Sequence, residues 1–128
     1  MGLDMYLWGR ESKHFAPAQF KDKNNRPIIA VEVDLGYWRK HPNLHGFIVD
    51  TFADGVDECQ RIALDVEDIE KIIHAINAKA LPYTEGFFFG KSENTEAEAA
   101  FDRKVFMEAL EWLHEKPTVR EVIYQASW

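Results

Sequence analysis

Cysteine is almost absent: Cys59 is the single one in 128 residues. No internal disulfide can form, which fits a reducing compartment. No apolar run approaches the ~20 residues that a membrane span requires, so no membrane association is expected. The N-terminus lacks a basic leader segment and carries Asp4, which argues against a secretory signal. A myristoylation pattern would need Ser or Thr at the position held by Tyr6. A cytoplasmic protein is therefore expected. Cations are in deficit, with a formal net charge of −7. Residues 1–40 hold seven Lys/Arg and five Asp/Glu, whereas residues 41–128 hold eight and seventeen. Non-specific nucleic-acid affinity rests on neutralising phosphates, so net charge makes nucleic acid an unfavoured partner. Serine and threonine are sparse, and none sits in a G-x-S-x-G elbow.

What is present is an ordinary core. The length corresponds to one domain, 1–128, which buries roughly two thirds of its unfolded surface without a staple. Leu3, Met5 and Leu7 alternate with polar and aromatic neighbours as in a half-buried strand. Residues 9–27 are polar, with Pro17 and Pro27, and read as a long loop. Ile29, Val31, Val33 and Leu35 alternate in a second strand over Ile28–Leu35. Pro42 opens a helix to about residue 53, with Leu44, Phe47, Ile48 and Phe52 at helical spacing. Gly46 inside it implies close approach of another segment. Residues 58–64 read as a third strand. Asp65 is an N-cap for a helix in which Ile69, Ile72, Ile73 and Ile76 recur at 3.6-residue spacing. Gly86–Gly90 brackets three phenylalanines and reads as a buried strand. Ser92 or Thr95 caps a long helix to about Lys116, and Val119–Ala126 alternates as a last strand. The connections are too short for repeated right-handed βαβ crossovers. The expected fold is α+β: a single two-layer domain, with a mostly antiparallel or mixed sheet of about five strands and three helices packed on it.

The chemistry-bearing motifs are few. His41 and His45 stand four apart, and such a pair on one helix face can share a metal. Asp50, Asp54, Asp57 or Cys59 would supply a third ligand. Against this, His41 precedes the helix, Pro42 replaces the zincin glutamate, and Arg39 and Lys40 bring positive charge. His41 and His45 are weak metal candidates, and no cofactor is expected. Gly86-x-x-x-Gly90-Lys91-Ser92 is one residue short of a P-loop and too aromatic for one. Acidic neighbours Asp57, Glu58 and Asp65 disfavour a Cys59 thiolate. No residue is singled out as catalytic. The segment Tyr37-Trp38-Arg39-Lys40 sits at the expected strand-to-helix junction. Aromatics beside cations stack bases, anchor protein interfaces, or simply continue a strand.

Several segments together resemble a family of small phage and prophage proteins. They are Met1–Leu7, the run Gly36-Tyr37-Trp38-Arg39-Lys40-His41 with Asn43-Leu44-His45, Leu81-Pro82, Gly86–Gly90, and Tyr124-Gln125-Ala126-Ser127-Trp128. These anchors span the chain, which is accordingly expected to be a complete protein. The helix from Asn94 is poorer in Tyr than the family pattern, and loop 9–27 is distinctive. The family carries no established activity, so the resemblance supplies no catalytic residues. It implies expression in a bacterial host cytoplasm and action by macromolecular binding. The expected function is therefore a non-enzymatic accessory protein with a protein partner, a modulator of a host machine such as a defence complex. Its contact surface would be Tyr37, Trp38, Arg39, Lys40 and His45, or the acidic helix faces. The alternative is a small enzyme or nucleotide-binding protein with a pocket near residues 36–45.

Overall fold

Asp4–Ser12 forms the first strand, β1, and Ala30–Arg39 the second, β2, in a computed structural model that describes residues 2–13, 20–86 and 89–128. Helix α1 (Pro42–Phe52), strand β3 (Ile62–Leu64), helix α2 (Val66–Asn77), helix α3 (Glu96–Glu115) and strand β4 (Arg120–Ser127) complete the order. The sheet order is β2-β1-β4-β3, and every pairing is antiparallel. This is a single α+β domain with three helices and four described strands, one fewer than expected. The fifth expected strand, Gly86–Gly90, falls only partly within the described residues. Phe87 and Phe88 lie outside the described residues, and Phe89 turns back, its N–H donating to the Gly86 carbonyl at 3.1 Å.

The central strand β1 runs further than its composition suggests. Met5, Leu7 and Gly9 face the helices, and Tyr6, Trp8 and Arg10 face away. Residues 9–12 of the expected loop are strand, because the polar end of β1 is held by ion pairs, and residues 14–19 of it lie outside the described residues. Glu11 is 8% exposed and bonds Lys13 and Arg120. Those two partners, Lys13 first, pull its carboxyl down to about 2. Strand β2 likewise continues through Arg39, so Gly36–Arg39 is strand and the turn falls at Lys40, in the left-handed region at φ 57°.

A register shift between Leu7 and Trp8 leaves Leu35 as an extra residue on β2. Gly36 and Trp38 therefore share the helix side with Val31 and Val33, despite their opposite parity. The helices do not reach the first half of β2, where Val31 and Val33 remain 38% and 39% exposed. The expected buried face of that strand is thus open to solvent.

Helix α2 begins with a reciprocal capping box between Asp65 and Asp68. Thr95 caps α3, accepting the Glu98 N–H at 3.1 Å. Helix α3 lies close to the sheet because glycines face it. A Cβ on Gly36 would stand 2.5 Å from Val105, and one on Gly9 would stand 2.7 Å from Trp112. Gly46 in α1 meets Thr84 in the same way, at 2.1 Å. The core gathers Leu3, Met5, Leu7, Leu44, Ile48, Ile69, Ile72, Phe106, Val122 and Tyr124. No described helix is long and apolar enough to cross a membrane.

Candidate functional site

The start of α1 cannot cap itself. His41 occupies the N-cap position, but its side chain makes no capping bond. Ser92 does this work from the segment before α3, its hydroxyl accepting the Asn43 N–H at 3.1 Å. The Asn43 carboxamide accepts the Thr84 N–H at 3.0 Å and donates to Asn94 at 3.2 Å. The chain between α2 and α3 is thereby stitched to the head of α1.

Freed from capping, the His41 ring points inward. Its Nε2 lies 2.7 Å from Asp102 Oδ2 and its Nδ1 lies 2.7 Å from Ser92 Oγ. The other Asp102 oxygen accepts the Trp38 indole N–H at 2.7 Å. Asp102 is 1% exposed, so both oxygens need such donors. Glu98 stands beside the pair, with Oε1 3.6 Å from His41 Nε2. Its carboxylate also accepts the Glu93 and Asn94 N–H groups. The carboxylate facing Nε2 calls for a proton on that nitrogen, and the Ser92 hydroxyl can serve Nδ1 as donor or acceptor.

Ser92, His41 and Asp102 thus stand in the order of a serine-hydrolase relay, with the ring nitrogens exchanged. The setting does not favour nucleophilic chemistry. His41 is 3% exposed, and the Ser92 oxygen is already occupied by the Asn43 N–H. A cavity of ≈330 Å³ between the end of α2 and the start of α3 borders Glu98 and Asp102, with Ile76, Lys79, Leu81 and Ala99 among its other walls. Glu96 also lines it. None of residues 36–45 lines this cavity, so it is not the pocket expected for the nucleotide alternative.

One turn along α1, His45 heads a second buried network. Its Nδ1 lies 2.6 Å from the Tyr124 hydroxyl, and its Nε2 lies 3.0 Å from both Asp57 oxygens. Phe89 and Trp128 meet the ring edge-on, at centroid distances of 5.2 and 5.8 Å. Burial, and secondarily the charge of Asp57, raises the Tyr124 phenol well above its ordinary value. The two histidines are therefore served by different carboxylates. Among the described residues, the grouping of metal-binding side chains is His41, Glu98 and Asp102, without His45. Asp57, one of the proposed third ligands, belongs to the His45 network instead.

The residues expected to form one contact surface fall on different sides of the molecule. Trp38 is 5% exposed and stacks on Phe106 at 5.5 Å. His45 is buried. Tyr37, 43% exposed, packs on Tyr6 on the sheet face opposite the helices. Tyr37 and Arg39 both bond the Asp4 carboxylate. The Tyr37 bond, then Arg39, holds Asp4 below the ordinary carboxylate range, and the same bond raises the Tyr37 phenol. Lys40 is exposed, its stem lying over Gly90.

Sequence reading missed Ser92, Glu98, Asp102 and Tyr124 as partners, whereas Asp57, named as a candidate third ligand, does meet His45. Asp102 carried one usable signal. It shares the helical face of Val105, Phe106, Ala109 and Leu113, and a carboxylate on an apolar face requires a partner. No protein-family model, curated protein or solved structure matches this chain.

Proposed function

We propose that the protein is a non-enzymatic binding protein that receives an extended segment of a partner protein along the outer edge of β2, which pairs with no further described strand. The observation that carries this reading is the edge itself. Strand β2 is ten residues long and lies at the margin of the sheet. It exposes Val31 and Val33 on one side and Tyr37 on the other, and Ile29, 52% exposed, precedes it. Long edges with apolar side chains invite pairing, and partners that add a strand gain main-chain hydrogen bonds and side-chain pockets together. Tyr37, Arg39 and Lys40, expected as contact residues, lie at the C-terminal end of this edge.

The charge pattern favours a protein partner over nucleic acid. Tyr6 and Trp8 stack at 5.3 Å on the open sheet face, a platform that could hold bases. The arginines around it are already paired: Arg10 with Glu121 at 3.2 Å, Arg39 with Asp4 at 3.1 Å, and Arg61 with Glu32. Phosphates would have to displace those carboxylates. The resemblance to small phage and prophage proteins directs the search to a bacterial host macromolecule.

The test uses capture from bacterial lysate with three proteins: wild type, the double variant Val31→Lys/Val33→Lys, and Met107→Lys on exposed α3 as control. A defined protein retained by wild type and control, and lost by the double variant at unchanged melting temperature, is the expected result. Retention by all three, or by none, overturns the reading. A dimer of wild type in light scattering, abolished by the double variant, would instead assign the edge to a second copy of this chain.

A further inference from the structure

We propose that His41, Glu98 and Asp102 form a binding site for a divalent transition metal, with one imidazole and two carboxylate ligands. The three donor atoms lie within 4.8 Å of one another. A zinc-like ion sits about 2.0–2.2 Å from each ligand, which places neighbouring donors about 3–3.5 Å apart. The 3.6 Å between His41 Nε2 and Glu98 Oε1 already matches this spacing. The 2.7 Å between Nε2 and Asp102 Oδ2 is hydrogen-bond spacing and must open by a few tenths of an ångström. The ion takes the place of the proton that lies there.

Metal ligands bind without their protons, so Nε2 must be bare on the metal side. On metal binding the neutral ring carries its proton on Nδ1 in place of Nε2. Ser92 then accepts that N–H with one lone pair while its other still accepts the Asn43 N–H, and its own hydroxyl proton turns away.

The outer contacts are those that hold metal ligands in orientation. Ser92 fixes the His41 ring, the Trp38 indole fixes Asp102, and the Glu93 and Asn94 N–H groups fix Glu98. Two carboxylates beside one neutral imidazole balance a divalent charge. The ≈330 Å³ cavity that borders Glu98 and Asp102 gives a path of entry and room for water at open positions. Mixed nitrogen and oxygen donors select Zn²⁺, Mn²⁺ or Fe²⁺ over Mg²⁺ and Ca²⁺. His45 is excluded because Asp57 and Tyr124 engage both its nitrogens.

The experiment is calorimetric titration of untagged, chelator-treated protein with zinc, manganese and magnesium chlorides. One equivalent of Zn²⁺ or Mn²⁺ should bind, and Mg²⁺ should not. Glu98→Gln should weaken binding about tenfold or more, whereas His114→Gln and Cys59→Ser should leave it unchanged. Wild-type protein loaded with Co²⁺ should give visible absorption bands of a nitrogen–oxygen site, a readout that needs no variant. Absence of stoichiometric binding by either transition metal overturns the proposal. So does wild-type affinity in a folded Glu98→Gln, or a Co²⁺ spectrum identical to that of the aquo ion.

Discussion

Replacing Trp38 by Phe removes one N–H and part of one ring from the buried junction. The consequence can be worked from the geometry. The indole donates to Asp102 Oδ1 at 2.7 Å, and Asp102 is 1% exposed. A hydrogen bond to a charged group contributes about 1.5–3 kcal/mol, and leaving the acceptor unpaired adds desolvation to that loss. The smaller ring keeps its stack on Phe106 but leaves unfilled space, worth about 1 kcal/mol more. The expected loss is about 3 kcal/mol, or a fall of roughly 10 °C in melting temperature for a domain of this size. Urea titration followed by far-ultraviolet circular dichroism would measure it, as a lower midpoint at unchanged slope. The adjacent Tyr37→Phe is the internal comparison. Its hydroxyl also bonds a carboxylate, Asp4, but in an exposed setting, so its effect should be much the smaller of the two. A Trp38→Phe loss below about 1 kcal/mol, or one equal to that of Tyr37→Phe, would refute the premise that Asp102 depends on the indole.

Three further outcomes follow from single contacts. Glu11 has its pKa depressed to about 2 in the folded chain, against about 4.3 when unfolded. Its contribution is complete above the unfolded value and disappears as pH falls through about 2. Urea midpoints measured from pH 5 to pH 2 should therefore decline less steeply in Glu11→Gln, which starts lower and has no such proton to gain. Gly36→Ala would bring a methyl 2.5 Å from Val105, so overpacking of about 1–3 kcal/mol is expected in the same assay. Asp65→Ala removes the acceptor for the Asp68 N–H and should cost about 1 kcal/mol. Unchanged stability there would mean that tertiary packing alone fixes the start of α2.

Elements whose signal is local were legible in the sequence. Pro42, the Asp65 cap with its isoleucine stripe, and the apolar face after Thr95 located all three helices, because caps and 3.6-residue spacing act within one element. The sheet was less legible at each place where a distant partner decides. The end of β1 looks like loop until Arg120 neutralises Glu11. The alternation of Ile29, Val31 and Val33 predicts burial, but the faces of β2 depend on a register shift against β1, and no described helix covers that half of it. The histidine site was hidden for the same reason. Helical spacing paired His41 with His45, whereas the fold pairs His41 with Asp102, sixty-one positions away.

The run Gly36–His41 shows how a compact motif divides once it is folded. A strand sends neighbouring side chains to opposite faces, so four adjacent residues cannot form one patch. Gly36 and Trp38 turn to the helices: the glycine admits Val105, and the indole secures Asp102. Tyr37 and Arg39 turn outward and share Asp4. Lys40 takes the left-handed turn, which ends the strand and carries His41 inward to meet the carboxylate that Trp38 already holds. The inward half of the motif thus builds the proposed metal ligands, and the outward half belongs to the proposed partner edge. The two proposals are separable for this reason. Val31→Lys/Val33→Lys should abolish partner capture and leave metal affinity intact, and Glu98→Gln should do the reverse. A variant of either kind that removed both activities would show that strand β2 links the two sites.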